Sequence, residues 1–143
     1  MTGGCLCGAV HFEIDGALGR ITVCHCSLCR RSSGSAFIPA ASVDAVRFRV
    51  TSGAELLSAY ESSPKYERVF CSRCGSQLFG RHADHPVVWV RIGSLDQDPG
   101  SRPTLHFMTA SKAPWYTIAD GGEQFPEMPP LHYLFPRPRR GGR

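Results

Sequence analysis

The seven cysteines of this 143-residue chain constrain its fold more than any other feature, because they fall into three tight groups. These are Cys5-Leu6-Cys7, Cys24-His25-Cys26-Ser27-Leu28-Cys29 and Cys71-Ser72-Arg73-Cys74. Cysteines used as small core hydrophobes have no reason to cluster like this, nor to be followed directly by glycine as Cys7 is by Gly8 and Cys74 by Gly75. Disulfide frameworks prefer even counts in secreted chains, so an odd set fits them poorly. Thiolate ligation of a metal accounts for the grouping. Zinc takes four tetrahedral ligands, and a C-x-x-C turn lets two sulfurs face one ion while backbone amides point back at them.

Cys5 and Cys7 together with Cys71 and Cys74 make a closed four-thiolate set that ties the amino terminus to the middle of the chain, as a structural zinc does. Gly8 and Gly75 can enter the left-handed backbone region that tight sulfur-binding loops require. Cys24, Cys26 and Cys29 lie within six residues and can cap one face of a second ion, leaving its fourth position for water, a side chain or substrate. Such an open position is what a catalytic zinc keeps. His25, His82, His85 and His106 are candidates to close it. Alternation in an extended C-x-C turns His25 away from the metal toward solvent, and the loop holding His82 and His85 beside Asp84 and Pro86 reads as a solvent-facing turn.

With 42% hydrophobic residues the chain can bury one ordinary core, so residues 1–135 are expected to form a single domain. Three alternating segments bounded by turn residues read as strands: Val10-His11-Phe12-Glu13-Ile14, Val46-Arg47-Phe48-Arg49-Val50 and Val87-Val88-Trp89-Val90-Arg91-Ile92. Long helical periodicity is missing. Short helical turns are expected after Cys26 and around Ser111-Lys112-Ala113, which makes the fold mostly β. Residues 136–143 carry four arginines and little to pack, and read as a disordered basic tail. A net charge of +4, spread elsewhere along the chain, suits anionic ligands without singling out nucleic acid. The opening residues carry no basic and apolar leader and no stretch is long enough to cross a membrane, so a cytoplasmic location is the expectation.

The ordered blocks Gly3-Gly4-Cys5-Leu6-Cys7-Gly8-Ala9-Val10, Cys24-His25-Cys26-Ser27-Leu28-Cys29-Arg30-Arg31-Ser32-Ser33-Gly34 and Phe70-Cys71-Ser72-Arg73-Cys74-Gly75-Ser76 carry a resemblance. With Gly93-Ser94-Leu95-Asp96, Ser111-Lys112-Ala113-Pro114-Trp115 and Phe125-Pro126-Glu127 behind them, the chain resembles the glutathione-dependent formaldehyde-activating enzyme family, which includes the centromere protein V type. The resemblance implies an Mss4-like zinc-binding β fold, two zinc ions, and carbon–sulfur lyase activity on S-(hydroxymethyl)glutathione, formed from glutathione and formaldehyde. By position it implies Cys5, Cys7, Cys71 and Cys74 at the structural zinc, and Cys24, Cys26 and Cys29 as ligands at the catalytic one. Gln77 departs from the pattern, where proline is common, as does the arginine-rich tail. Neither is a proposed ligand.

Glutathione carries two carboxylates, so Arg30, Arg31 and Lys112, within the matching blocks, are candidate contacts, although surface cations are ordinarily solvated. Trp115 is expected in the core ahead of a pocket wall. Ser32, Ser33 and Ser35 around Gly34 suit either ligand hydrogen bonds or a turn. A different class of function also fits: a non-catalytic module with two structural zincs, using its basic tail for a polyanion or its surface for a protein partner.

Overall fold

Strand formation follows the alternation of apolar and polar side chains. The computed structural model describes residues 1–135, so the arginine-rich tail expected over 136–143 lies outside the described residues. The elements are β1 (Thr2–Gly4), β2 (His11–Ile14), β3 (Ile21–Cys24), α1 (Ser27–Ser33), β4 (Ile38–Asp44), β5 (Phe48–Ser52), β6 (Leu57–Ser63), β7 (Tyr66–Cys71), β8 (Gln77–His82), β9 (Val87–Arg91), β10 (Leu105–Phe107) and β11 (Glu123–Gln124). The fold is mostly β, as expected, with α1 and several 3₁₀ turns between strands. Among the described residues no helix is long and apolar enough to cross a membrane.

Two sheets form. The smaller runs β1-β2-β5 and is antiparallel; the larger runs β11-β10-β3-β4-β9-β8-β7-β6, with β10 parallel to both its neighbours. Phe12 and Ile14 of β2 point inward while His11 and Glu13 point out. They pack on Val43, Val69, Phe79, Val88 and Val90 from one face of the larger sheet, with Phe48 bridging Phe12 and Phe79 at ring-centroid distances of 5.1 and 4.7 Å. Each such fully buried side chain contributes about 1.5–3 kcal/mol relative to exposure.

The opposite face of the larger sheet is what positions the site. Register pairs Thr22 with Ala40, Cys24 with Ile38, Ala40 with Arg91, Gly80 with Trp89 and Arg68 with Gly80. Because successive side chains alternate between faces, these residues all project away from the core.

One expected strand is displaced from its pattern, starting and ending two residues later. Ala45–Arg47 forms a 3₁₀ turn, leaving Val46 95% exposed, and β5 begins only at Phe48. Here the chain leaves the larger sheet for the smaller one. Arg47 secures the crossover by donating from Nε to the Asp15 carbonyl and from Nη2 to the Ala17 carbonyl, each at 2.6 Å. The turn expected around Ser111 is a 3₁₀ turn at Thr109–Ser111.

Candidate metal centres

The first cysteine group is built by two loops that glycine closes. Gly8 and Gly75 take φ values of +74° and +75°, the left-handed region expected of them, and nothing stands within 4 Å of where a side chain would project. The loops bring the sulfurs of Cys5, Cys7, Cys71 and Cys74 within 4.8 Å of one another. Cys5 and Cys7 Sγ are 3.5 Å apart and Cys7 and Cys71 Sγ 3.9 Å. Four sulfurs around a tetrahedral zinc, at a bond length of about 2.3 Å, lie about 3.8 Å apart, so the donor set fits the ion. These separations are far beyond a disulfide bond of about 2.05 Å. Backbone and side-chain donors face the sulfurs. Val10 N–H donates to Cys5 Sγ at 3.2 Å, and Ser76 Oγ lies 3.2 Å from Cys74 Sγ. The Ser76 hydroxyl, then its backbone N–H, brings the Cys74 thiol down to about 5.

The second group sits where β3 ends and α1 begins. Cys24 closes β3, Cys26 caps α1 by accepting the Cys29 N–H at 3.3 Å, and Cys29 follows one turn later, 8% exposed. Their sulfurs also lie within 4.8 Å of one another, and no fourth Cys, His, Asp or Glu donor joins them among the described residues. Proton sharing pulls the three ionisations apart. Hydrogen bonds from Cys24 and then Cys29 lower Cys26 to about 2, while the same contacts with Cys26 and Cys29, and then burial, push Cys24 far up. One thiolate, Cys26, is thus held by two neighbouring thiols, a set of three sulfur donors of the kind that a soft cation takes up with loss of the remaining protons.

These three cysteines form part of the wall of a cavity of about 570 Å³. Its floor is the outward face of the larger sheet, with Ile38, Ala40, Trp89 and Phe107, and Leu134 and Phe135 from the end of the described chain also line it. Arg68 and Arg91, both 7% exposed, reach it from β7 and β9. Arg68 Nη2 approaches Cys29 Sγ at 3.6 Å, placing a guanidinium beside the sulfur.

Residues 1–111 match the family described as glutathione-dependent formaldehyde-activating enzyme. The chain belongs to that family. A Halomonas elongata protein named for glutathione-dependent formaldehyde activation is 34% identical over 128 residues, covering 82% of this chain and 80% of its own length. An uncharacterized lyase of Schizosaccharomyces pombe is 32% identical over 77 residues, 54% of either chain. The match to a Talaromyces marneffei relative, also named for formaldehyde activation, spans only 34% of that protein. A crystal structure of a Rhodobacter sphaeroides protein superposes with a TM-score of 0.58 at 30% identity, over 72% of this chain and 92% of that one. Relatives named as enzymes of these kinds support an enzyme here.

In this member of the glutathione-dependent formaldehyde-activating family, several side chains sit elsewhere than the sequence reading placed them. His25 does turn away from the cysteine triplet, but it is 0% exposed instead of solvated, because β10, Phe37 and Tyr116 cover that side. Its Nε2 meets His106 Nδ1 at 2.9 Å, and His106 Nε2 meets the Asp120 carboxylate at 3.0 Å. Burial, then the neighbouring His106, lowers His25 to about 4, so the ring is neutral. His82 and His85 are half-buried at the cavity edge and outside both sulfur clusters. Trp115, expected in the core, is 72% exposed.

Of the proposed cationic contacts, Arg30, Arg31 and Lys112 are not among the residues lining the cavity. Lys112 Nζ is bound to the Ala113 and Tyr116 carbonyls. Ser33 and Ser35 turn the chain, donating to the Cys29 and Phe37 carbonyls at 2.8 and 2.7 Å, while Ser32 Oγ accepts from Arg68 at 3.1 Å. Gln77, the departure from the usual proline, donates from Nε2 to the Ser32 carbonyl and so links the strand after the first cluster to the helix of the second. Arg68 and Arg91 were missed. The signal was present in the parity of β9, where Trp89 and Arg91 alternate with Val88 and Val90.

Proposed function

We propose that the chain is a zinc-dependent carbon–sulfur lyase that interconverts S-(hydroxymethyl)glutathione with glutathione and formaldehyde, or acts on the adduct of a related small aldehyde. In this reading Cys5, Cys7, Cys71 and Cys74 hold a structural zinc, and Cys24, Cys26 and Cys29 hold a catalytic one. The observation that carries it is the convergence of the cavity-facing triplet, with three sulfur donors and no fourth among the described residues, on a space of about 570 Å³. When bound there, zinc supplies a Lewis-acid position that lowers the pKa of a thiol or hydroxyl.

The chain's own residues do the rest. Cleavage of the hemithioacetal breaks the carbon–sulfur bond with its electron pair leaving on sulfur, while the hydroxyl becomes the aldehyde carbonyl and its proton passes to solvent, or to the departing sulfur to give the free thiol. Addition is the reverse, with thiolate attacking the carbonyl carbon and the new alkoxide taking a proton. Ile38, Trp89 and Phe107 exclude water from this exchange, which strengthens every charge interaction inside the cavity. Arg68, donating to Ser62 and Ser32 Oγ as well as approaching Cys29 Sγ, holds a positive charge beside sulfur without moving. His25 serves from behind, fixing the turn between Cys24 and Cys26 through His106.

The test is zinc per chain, followed by exchange of the glutathione–formaldehyde adduct measured by NMR against the spontaneous background. The expected result is two zincs and acceleration in the wild type, and one zinc and background exchange in Cys26→Ser. Retention of both zincs by Cys26→Ser, or exchange at the background rate in the wild type, removes the reading.

A further inference from the structure

The cavity contains more positive charge than the sulfur chemistry uses. Arg68 and Arg91 are each 7% exposed, and neither has a carboxylate within 4.0 Å among the described residues. The arginines that are ion-paired, such as Arg49 with Glu13 and Arg81 with Glu67, lie at the surface. A buried guanidinium without a counterion is costly, and one that persists in a cavity wall marks where an anion binds.

The two differ in how far their donors are used. Arg68 is committed, with Nε on Ser62 Oγ at 2.8 Å, Nη1 on Ser32 Oγ at 3.1 Å and Nη2 toward Cys29 Sγ. Arg91 is not. Among the described residues its Nη1 and Nη2 make only long contacts of 3.4 Å to the Trp89 carbonyl and the Tyr66 hydroxyl, and its buried Nε has no acceptor. Tyr66 reaches that position because Gly80 on the neighbouring strand leaves room: a Cβ there would collide with the Tyr66 hydroxyl. No Asp or Glu lines the cavity among the described residues, so nothing there receives an ammonium group.

We infer that Arg91, with the Tyr66 hydroxyl beside it, is the receptor for a carboxylate on the ligand whose reactive end meets Cys24, Cys26 and Cys29. The inference rests on the reading of that triplet as the reactive site. The ligand class is a thiol, or thiol–aldehyde adduct, that carries a carboxylate at one end and presents an apolar or uncharged middle to Trp89 and Phe135. The glycyl carboxylate of glutathione is one source of that group and a simpler mercapto acid is the other. Arg91 is thus a specificity residue, and the planar fork of its guanidinium suits a carboxylate better than lysine would.

The experiment is calorimetric titration of the zinc-loaded full chain with two acid and amide pairs: 3-mercaptopropionate against 3-mercaptopropionamide, and glutathione against its glycine amide. The expected wild-type result is tighter binding of the acid by on the order of tenfold or more, the size of one charge-assisted contact. Arg91→Met is expected to bring the ratio near one with zinc content unchanged, and Arg91→Lys to leave it intermediate.

Equal binding of acid and amide by the wild type overturns the inference without any variant. So does a preference that survives in Arg91→Met, or in Arg91→Lys at full strength should the methionine variant not fold, and so does failure of all four ligands to bind. An Arg91-dependent preference in the glutathione pair supports it with glutathione as the source. The same preference in the mercaptopropionate pair, with glutathione not binding, supports the carboxylate receptor and removes glutathione as substrate. Unchanged KM for the glutathione adduct in Arg91→Met does the opposite, leaving the lyase reading standing without this receptor.

Discussion

His25 Nε2 lies 2.9 Å from His106 Nδ1 in a pair with both rings buried, which braces the cysteine triplet from the side away from the cavity. Asp120 anchors the far end, accepting from His106 Nε2–H. In a neutral His106 ring this leaves Nδ1 to accept, so His25 donates through Nε2 and keeps a bare Nδ1 that has no partner among the described residues. Replacing His106 with Leu strands the His25 donor in the interior. The expected loss is about 1–3 kcal/mol of stability, read from the urea midpoint of the zinc-loaded protein. An unchanged midpoint would show that the pair braces nothing.

Asp120 gives this chain a pH signature. The Gly122 backbone N–H is the largest influence on its carboxyl and, with His106 and against a smaller opposing effect of burial, holds it below the ordinary carboxylate value. A carboxyl lowered by folding stabilises the folded state fully above its unfolded value of about 3.9, and that contribution fades as pH falls through the lowered value. The gap in Tm between wild type and Asp120→Asn is therefore expected to be constant above about pH 5 and to close in stronger acid. A gap that widens on acidification would contradict the sign.

The two sulfur clusters are expected to respond differently to loss of one ligand. Cys71 is 0% exposed and packs within the main core, so Cys71→Ser should cost more than about 4 kcal/mol or abolish soluble protein, since structural zinc binding is folding energy. Cys26→Ser should lose one zinc with a smaller drop in Tm, because serine is itself a good helix cap and preserves the start of α1. Metal analysis and thermal unfolding on the same samples separate these outcomes; equal drops in Tm would mean that both clusters are structural.

Gly53 tests the junction between the smaller sheet and the first cysteine loop. Its φ is +72° and a Cβ there would collide with the Ala9 carbonyl oxygen. Gly100 has the same φ, +72°, with nothing within 4 Å. Alanine at Gly100 is expected to cost only the backbone strain of about 1–2 kcal/mol, and alanine at Gly53 clearly more, by denaturant unfolding. Equal costs would mean that the Ala9 segment yields freely.

Much of the site was legible because closely spaced cysteines announce a sulfur cluster locally. Cys5-x-Cys7, Cys71-x-x-Cys74 and Cys24-x-Cys26-x-x-Cys29 bring sulfurs together through short turns, and Gly8 and Gly75 provide the backbone those turns need. Strands β2 and β9 were readable from their alternation, since Phe12, Ile14, Val88 and Val90 supply one apolar face. The Val46 strand was placed two residues early because period-two patterning does not reveal where a chain changes sheets, and Arg47 secures that change by donating to carbonyls 30 and 32 residues away.

The sequence by itself determined which cysteines come together, the mostly β fold and the family, all of which rest on residue type, short spacing and block order. Tertiary structure alone decided what surrounds the triplet. Arg68 and Arg91 lie on different strands and become neighbours of one cavity only through the register of β4, β9, β8 and β7. His25 is buried, and not solvated, only because β10 returns alongside β3 and brings His106 from 81 residues away. Spacing along the chain governs contacts within one turn. Burial and charge environment depend on which distant strand comes to lie alongside.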